Sequence, residues 1–300
     1  MSECSAASQT KSVSEEARIL AEQFLAQQHV RLDQKADVPP SANVLIGVPC
    51  FGGSIQHQTV NLLMSLSSSL SNAKIPHQTH FIAGESLIMR ARNFLASVAA
   101  FSHDNAGRPF SHLMFIDADI SFHPEYFFKM LKANLPIVAL PYSQKKLDWK
   151  CIAEAAKRVP PESLAFFAGN PVIVSDSGFA IDDKPIPVRA AGTGAMLISV
   201  EVLKAFAAAH PERKYRPRLT QSSQPDWNYD FFRPKILDEE FLGEDYAFCE
   251  ESARLGFLTY LLPMAVTRHT GGYDYAMDMS AVASADAALK SNESVEQPTR

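Results

Sequence analysis

Short apolar runs alternate with helix-forming segments along the chain from Asn43 onwards. The apolar runs are bounded by turn residues and predict buried strands, whereas the segments between them carry apolar residues at helical spacing. Strands are predicted from Asn43 (NVLIGVPC), at about 78–83, at 112–117 and from Pro136 (PIVALPY), and helices at 59–70, 86–100 and 124–134. This order is typical of an α/β fold with a mostly parallel central sheet.

Composition and charge exclude several functional classes. The 300 residues are 46% hydrophobic, and the formal net charge of −5 lacks the basic footprint of a nucleic-acid-binding protein. The four cysteines form no CxxC pair, so we expect neither a zinc site nor a disulfide framework. The sequence has no secretory signal and no apolar run of the ~20 residues that a membrane span needs. We therefore expect a cytoplasmic protein with no transmembrane segment and no nucleic-acid partner.

Two aspartates, Asp117 and Asp119, come at the end of the strand predicted at 112–117. Ligands of open α/β sheets bind beyond the carboxyl ends of the strands, which is where this pair lies. If the chain is still extended, both side chains project to one side, and carboxylates about 4 Å apart repel by roughly 4 kcal/mol at an effective dielectric constant near 20. A bound cation or a retained proton would relieve this repulsion. The alternative is an ordinary turn in which aspartate is common.

A histidine, His269, follows the last predicted strand, FLTYLLPMAV. Two carboxylates and one imidazole suit Mn²⁺ or Mg²⁺, and the imidazole favours Mn²⁺. Its position and the neighbouring Gly271-Gly272 pair make it a candidate third ligand, although a loop histidine without a ligand has the same local pattern. The sequence thus predicts a divalent-cation site formed by Asp117, Asp119 and His269.

Several segments occur in an order that resembles one enzyme family. DAD at 117–119 is followed by GTGAMLISVEVL from Gly192, GEDYAFCEESARLGF from Gly243 and RHTGG from Arg268, and GESLIMRARN and PYSQKKLDW add to the match. Over about residues 43–276 the chain resembles metal-dependent glycosyltransferases of the GT-A fold, in particular the chlorovirus rhamnosyltransferase-like domains and the fungal mannan-polymerase subunits. The resemblance implies a single GT-A (Rossmann-like) domain with a smaller irregular acceptor-side region.

The same resemblance implies a reaction. A hexose or deoxyhexose would move from a nucleotide diphosphate sugar, with UDP favoured over GDP, to a hydroxyl of a glycan or lipid-linked acceptor. The metal held by the Asp-x-Asp pair would grip the diphosphate and stabilise the negative charge that builds on it as the glycosidic bond breaks. The alternative is that Asp117 faces the ribose and Asp119 is the main metal ligand. Retention of configuration is favoured over inversion.

Further site residues are assigned by the resemblance. The acidic pair Glu244 and Asp245 would lie near the acceptor hydroxyl or the donor sugar, and in an inverting enzyme one of them would be the general base. Acidic residues are also favoured in a first helical turn by the helix dipole, which is the structural alternative. Pro49 would border the nucleotide. Arg90 and Arg92 point about 200° apart on a helix, and the family phrase selects Arg92 for the cleft.

Two more segments are candidates for donor binding. A lysine at 145 or 146 can meet a phosphate and we select Lys146, while Trp149 can stack on a sugar; a charged surface loop is the alternative. Small residues permit close approach of a sugar ring and allow backbone N–H groups to donate to its hydroxyls. These small residues are Gly192, Thr193 and Gly194.

The chain is expected to divide into three parts. Residues 1–42 contain a disordered N-terminus, an amphipathic helix that can pair subunits as a homo-oligomer, and a proline linker; residues 43–276 form the GT-A domain; residues 277–300 form a disordered tail. Two other functions stay open at this stage: a sugar-phosphate nucleotidyltransferase, against which the absence of Lys and Arg in VPCFGGSIQHQ counts, and a non-catalytic nucleotide- or glycan-binding module.

Overall fold

The structure is a computed structural model that describes residues 38–175, 181–217 and 227–284. The predicted N-terminal helix and most of the predicted C-terminal tail lie outside these ranges. Residues 218–226 also lie outside them. The residues on either side of that gap form two short paired strands, Lys214–Tyr215 and Asn228–Tyr229.

A seven-stranded sheet forms the centre of the α/β fold, in the order β2-β1-β3-β9-β5-β14-β7. Its strands are β1 (Val44–Cys50), β2 (His77–Ala83), β3 (His112–Ile116), β5 (Ile137–Ala139), β7 (Ile186–Val188), β9 (Ala195–Ser199) and β14 (Thr259–Leu261). β1 is parallel to β2 and β3, and β5 is parallel to β14. β9 runs antiparallel to both of its neighbours, and β7 runs antiparallel to β14. The large sheet is therefore mixed but mostly parallel, as the sequence predicts.

Nine short strands form four small sheets beside it. They are β4 (Ile120–Phe122), β6 (Ile173–Val174), β8 (Ala190–Ala191), β10 (Lys214–Tyr215), β11 (Asn228–Tyr229), β12 (Lys235–Leu237), β13 (Glu240–Leu242), β15 (Thr267–Thr270) and β16 (Asp274–Met277). The three-stranded sheet β16-β15-β4 matters most for function, because it connects the segment after β3 with the end of the described chain.

Six α-helices have their bounds in the described residues, with three short 3-10 helices between them. The α-helices are α1 (His57–Asn72), α2 (Ile88–Phe101), α3 (Pro124–Ala133), α4 (Trp149–Ala155), α5 (Val200–Ala209) and α6 (Glu244–Arg254), and the 3-10 helices are Phe51–Gly53, Pro161–Phe167 and Pro211–Arg213. Helix α3 shows how local sequence sets these bounds. Pro124 occupies the first turn, where its missing N–H costs nothing, and Asn134 ends the helix in the left-handed region with φ 50°.

Two hydrophobic cores lie on opposite faces of the large sheet. Alternate residues of a strand point to opposite faces, so Leu113 and Phe115 of β3 join one core while Met114 and Ile116 join the other. Helices α2, α5 and α6 cover the first face, and α1 and α3 cover the second. With helices on both faces, the carboxyl edge of the sheet is left as the place where polar side chains can converge.

The described structure continues past residue 276, where the domain is predicted to end. Met277 ends β16 and is buried, Met279 is buried as well, and residues 279–284 are helical. The polar composition after Ala276 hid this contribution, because these two methionines supply apolar surface within a segment of otherwise small and acidic residues. None of the helices in the described ranges combines the length and apolar character that crossing a membrane requires.

Candidate functional site

The segment that follows β3 is a tight turn and not an extended strand. The backbone N–H of Ile120 donates to the carbonyl oxygen of Asp117 at 3.0 Å, and the N–H of Asp117 donates to the carbonyl oxygen of Gly194 at 2.9 Å. The turn sends the two aspartate side chains to different partners: Asp117 bonds to Arg92, and Asp119 bonds to Lys145 and His269. The extended geometry considered from the sequence, with both carboxylates side by side, is therefore not what the structure has.

The small sheet brings His269 to Asp119. β4, which begins directly after the turn, pairs antiparallel with β15, and the register sets His269 opposite Ile120. The backbone N–H of Thr270 also donates to the carbonyl oxygen of Asp119 at 2.7 Å. As a result Nε2 of His269 lies 3.3 Å from Oδ1 of Asp119, although 150 positions separate the two residues (269 minus 119).

The other ring nitrogen of His269 is fixed by the backbone. Nδ1 lies 2.8 Å from the carbonyl oxygen of Ser143, which can only accept, so Nδ1 carries a proton. In an imidazole with one proton, the Nε2 lone pair then faces the Asp119 carboxylate. Two such electron-rich atoms are held together favourably by a cation between them, and a backbone carbonyl on the second nitrogen is the usual support of a metal-binding histidine.

Two donor atoms, Nε2 of His269 and Oδ1 of Asp119, are the candidate protein ligands of a divalent ion. Ligands at about 2.1 Å in octahedral geometry stand about 3 Å apart, close to the 3.3 Å between Nε2 of His269 and Oδ1 of Asp119. Within the described ranges no group of three or more His, Cys, Asp or Glu side chains is arranged around one ion. Asp117, the third predicted ligand, is instead held by Arg92. Ions of this class commonly take one or two carboxylates and complete their shell with water and substrate phosphates.

Lys145 binds the other oxygen of the Asp119 carboxylate. Its Nζ lies 2.5 Å from Oδ2 of Asp119. Burial would raise the pKa of Asp119, but the hydrogen bonds and charges of His269 and Lys145 outweigh it and hold that pKa below its ordinary value. Asp119 is therefore an ionised carboxylate with one partner on each oxygen.

A second ionic cluster centres on Arg92. Its side chain is 6% exposed; Nη1 donates to Oε1 of Glu244 at 2.5 Å, and Nη2 lies 3.3 and 3.2 Å from the two oxygens of Asp117. Arg90, two residues earlier on α2, is 54% exposed and pairs with Glu85. The two arginines thus point in different directions, Arg92 towards Asp117 and Glu244 and Arg90 towards Glu85.

The acidic pair at the start of α6 has two different environments. Glu244 is neutralised by Arg92. Burial raises the pKa of Asp245; Arg92 opposes that shift and Glu244 adds to it. Asp245 is thus the carboxylate of this pair that binds a proton more readily than an ordinary aspartate.

The three small residues before β9 lie against the same region. A Cβ at Gly194 would fall 2.5 Å from Cδ1 of Ile120 and 3.1 Å from Oδ2 of Asp117, and one at Gly192 would fall 2.0 Å from the hydroxyl oxygen of Tyr142. Thr193 between them is fully buried, and its hydroxyl has no hydrogen-bond partner within the described residues. Glycine is required here so that the backbone can approach Tyr142 and the Asp117 turn.

The three remaining predicted site residues, Pro49, Lys146 and Trp149, are also described by the structure. Pro49 is buried near the end of β1, next to Cys50, whose thiol pKa is raised by burial and by the charge of Asp117. Lys146 is exposed, and the lysine that reaches Asp119 is its neighbour Lys145. Trp149 begins α4 and is 70% exposed.

Sequence reasoning missed Tyr142 and Ser143, and it selected Lys146 for donor binding, whereas Lys145 is the lysine that contacts Asp119. The hydroxyl of Tyr142 accepts from the N–H of Gly194 at 3.2 Å, and its ring packs edge-on to His269. Both residues lie within four positions of the end of β5, so the rule that ligands gather beyond the carboxyl ends of strands could have identified them. Nothing in the local pattern separates Lys145 from Lys146.

Comparison with known proteins adds little to this geometry. No protein-family model matches the chain, and no curated protein matches it. Among solved structures the chain is similar to A197 from STIV, with 14% sequence identity and a TM-score of 0.42, over 80% of this chain and 91% of that chain. Similarity at this level indicates neither a family nor an activity.

Proposed function

We propose that this chain is a metal-dependent glycosyltransferase with a single GT-A domain. It moves a hexose or deoxyhexose from a nucleotide diphosphate sugar, UDP before GDP, to a hydroxyl of a glycan or lipid-linked acceptor. The observation that carries the proposal is the pair formed by Asp119 and His269, with Nδ1 of the histidine fixed on the carbonyl of Ser143. This pair lies just beyond the carboxyl end of β3, where α/β sheets bind their ligands.

Asp119 and His269 would hold Mn²⁺ or Mg²⁺. When bound, such an ion supplies Lewis-acid stabilisation of the charge that develops on a diphosphate leaving group. The chain's own residues prepare that position: Ser143 fixes the histidine tautomer, and the lowered pKa of Asp119 keeps its carboxylate ionised. Arg92 keeps Asp117 and Glu244 in place through its fork of N–H donors.

The acidic pair of α6 would serve the acceptor side. Asp245 has a raised pKa, which suits a carboxylate that takes up a proton from an acceptor hydroxyl. In the retaining reaction that the sequence resemblance favours, the same residue would orient the sugar hydroxyls instead. Glu244 anchors the start of the helix to Arg92 and so positions Asp245 beside it.

Calorimetric titration of Mn²⁺ and UDP tests the proposal. We expect UDP binding that depends on Mn²⁺, and we expect Asp119→Asn and His269→Gln each to weaken Mn²⁺ binding by about ten-fold or more. Asp183→Asn removes one carboxylate from an exposed position and serves as the control with unchanged affinity. Absence of metal-dependent binding of both UDP and GDP by the unaltered protein would exclude the proposed function.

A second candidate is a non-catalytic nucleotide- or glycan-binding module. The observation that favours it is that Arg92 and Lys145 form ion pairs with Asp117 and Asp119. The two functions differ in turnover. Hydrolysis of a nucleotide sugar from a panel, dependent on Mn²⁺ and lost in Asp119→Asn, supports the transferase, whereas binding without any turnover supports the module.

A further inference from the structure

Two side chains approach opposite oxygens of one carboxylate. Nζ of Lys145 lies 2.5 Å from Oδ2 of Asp119, and Nε2 of His269 lies 3.3 Å from Oδ1. The Lys145 and Asp119 side chains are 37% and 30% exposed, so this pair is only partly withdrawn from water. A divalent ion that used Oδ1 and Nε2 would lie within a few Å of the ammonium group, and the two cations would repel each other.

Lys145 can leave Asp119 without a change in the backbone. The segment that carries it is anchored on both sides of the lysine: the N–H of Gln144 donates to the carbonyl of Asn170 at 2.9 Å, and the N–H of Lys146 donates to the carbonyl of Gln144 at 2.8 Å. The flexible stem lies over Gly271, where an added Cβ would be 3.2 Å from Cδ of Lys145. The ammonium end can therefore swing while the loop stays in place.

We propose that Lys145 is a built-in counter-ion which couples divalent-cation binding to diphosphate binding. In the free protein it neutralises Asp119 and weakens the site for the metal; when a nucleotide diphosphate binds, the ammonium moves from Asp119 to the phosphate oxygens. The proposal rests on the proposed function and adds a regulatory step to the same site. Lys145 is a positioning and coupling residue, because it acts through Asp119.

Thermodynamic linkage gives this proposal a signature that simple phosphate binding lacks. If Lys145 competes with the metal and also assists the diphosphate, the metal and the nucleotide each bind more tightly in the presence of the other, by the same factor. Removal of the lysine should strengthen metal binding and weaken nucleotide binding. A residue that merely stabilises the fold would weaken both.

The test compares Lys145→Met with Lys150→Met, which removes the same charge from an exposed position nearby. Mn²⁺ affinity is measured by titration with and without saturating UDP, and UDP affinity with and without saturating Mn²⁺, in the full chain. For Lys145→Met we expect Mn²⁺ to bind about five-fold more tightly without nucleotide, and UDP to bind about five-fold more weakly with Mn²⁺ present. For Lys150→Met both affinities should stay within about two-fold of the original.

The outcomes distinguish failure of the proposed function from failure of this inference. If the unaltered protein binds neither Mn²⁺ nor UDP, both the proposed function and this inference fail. If it binds both and Lys145→Met behaves like Lys150→Met, the inference is overturned and the proposed function stands. If Lys145→Met weakens Mn²⁺ binding, competition between Lys145 and the metal at Asp119 is excluded. Circular dichroism with thermal melting confirms in each case that the variant is folded.

Discussion

Nη1 of Arg92 donates a hydrogen bond to Oε1 of Glu244 across 2.5 Å, and the two residues are 152 positions apart in the sequence. Nη2 of the same guanidinium contacts both oxygens of Asp117. One arginine thus joins helix α2, the turn after β3 and the start of helix α6. The planar fork of N–H donors suits this double contact, which a lysine could not reproduce.

Replacement of Arg92 should destabilise the protein strongly. Arg92→Met leaves two largely buried carboxylates, Asp117 and Glu244, without their counter-charge, and removal of one partner from a buried ion pair costs about 3 kcal/mol or more. The free energy of unfolding, measured by urea denaturation at pH 7, should fall by that amount.

Arg90→Met is the matched control on the same helix. Arg90 is more than half exposed, so its pair with Glu85 contributes about 1 kcal/mol or less. A similar loss of stability in both variants would contradict the central role of Arg92. Arg92→Lys should recover only part of the loss, because its ammonium cannot contact both carboxylates in the same geometry.

Gly194→Ala should destabilise the protein by about 1–3 kcal/mol, the usual cost of overpacking a filled interior. The new methyl group would lie 2.5 Å from Cδ1 of Ile120 and 3.0 Å from Cζ of Tyr142, so at least one of these side chains must move. The same urea titration measures the loss. Because Asp117 lies 3.1 Å from the new methyl group, Mn²⁺ and UDP titrations of this variant also report whether the turn shifts.

Gly272→Ala is the control for this glycine. A Cβ at Gly272 meets nothing within 4 Å and the backbone there is in an ordinary conformation, so we expect a change within about 0.5 kcal/mol. If Gly194→Ala changes the free energy of unfolding as little as Gly272→Ala does, the close packing of Gly194 against Tyr142 is not a feature of the folded protein in solution.

The sequence predicts the local elements around the site well, because their signals are local. The apolar run at 112–117 corresponds to β3, His112–Ile116, and the proline and asparagine around the next segment mark the two ends of α3. Burial, side-chain alternation and capping all depend on residues close in sequence. The position of Asp117 and Asp119 beyond a strand end could be predicted for the same reason.

Contacts between distant segments could not be predicted in the same way. Side-chain alternation tells which face of a strand is buried but not its direction, so the antiparallel run of β9 between β3 and β5 left no signal. Lys145 and Lys146 are equivalent in sequence, and only the anchoring of the neighbouring backbone on Asn170 separates them. The pairing of Asp117 with Arg92 depends on a turn whose three residues fit an extended strand equally well.

His112 should make stability depend on pH in a defined window. Burial lowers its pKa from an ordinary 6.5 to about 4, so between these values the unfolded chain binds a proton that the folded chain does not. The effect of His112 is therefore absent above about pH 6.5, and the free energy of unfolding falls by about 3 kcal/mol as the pH drops to about 4.

His112→Gln should flatten this dependence, because glutamine does not titrate. The measurement is the free energy of unfolding at pH 7, 6, 5 and 4 for both proteins. The pKa values of His80 and His210 are also lowered by burial, so the difference between the two proteins isolates the contribution of His112. Parallel curves would mean that His112 is not buried in its neutral form.

In the acidic pair of α6 we expect Glu244 to contribute mainly to stability and Asp245 mainly to the reaction. Asp245 has a raised pKa, so its charge is disfavoured in the folded state and Asp245→Asn should change the free energy of unfolding by about 1 kcal/mol or less. Glu244→Gln removes the partner of a buried arginine and should cost about 3 kcal/mol. The effect on nucleotide-sugar hydrolysis should be larger for Asp245→Asn, with a fall of about 100-fold in kcat, because a carboxylate that takes up a proton or orients the sugar is lost. Equal stability losses in the two variants, or unchanged turnover in Asp245→Asn, would place Asp245 among the residues that only support the fold.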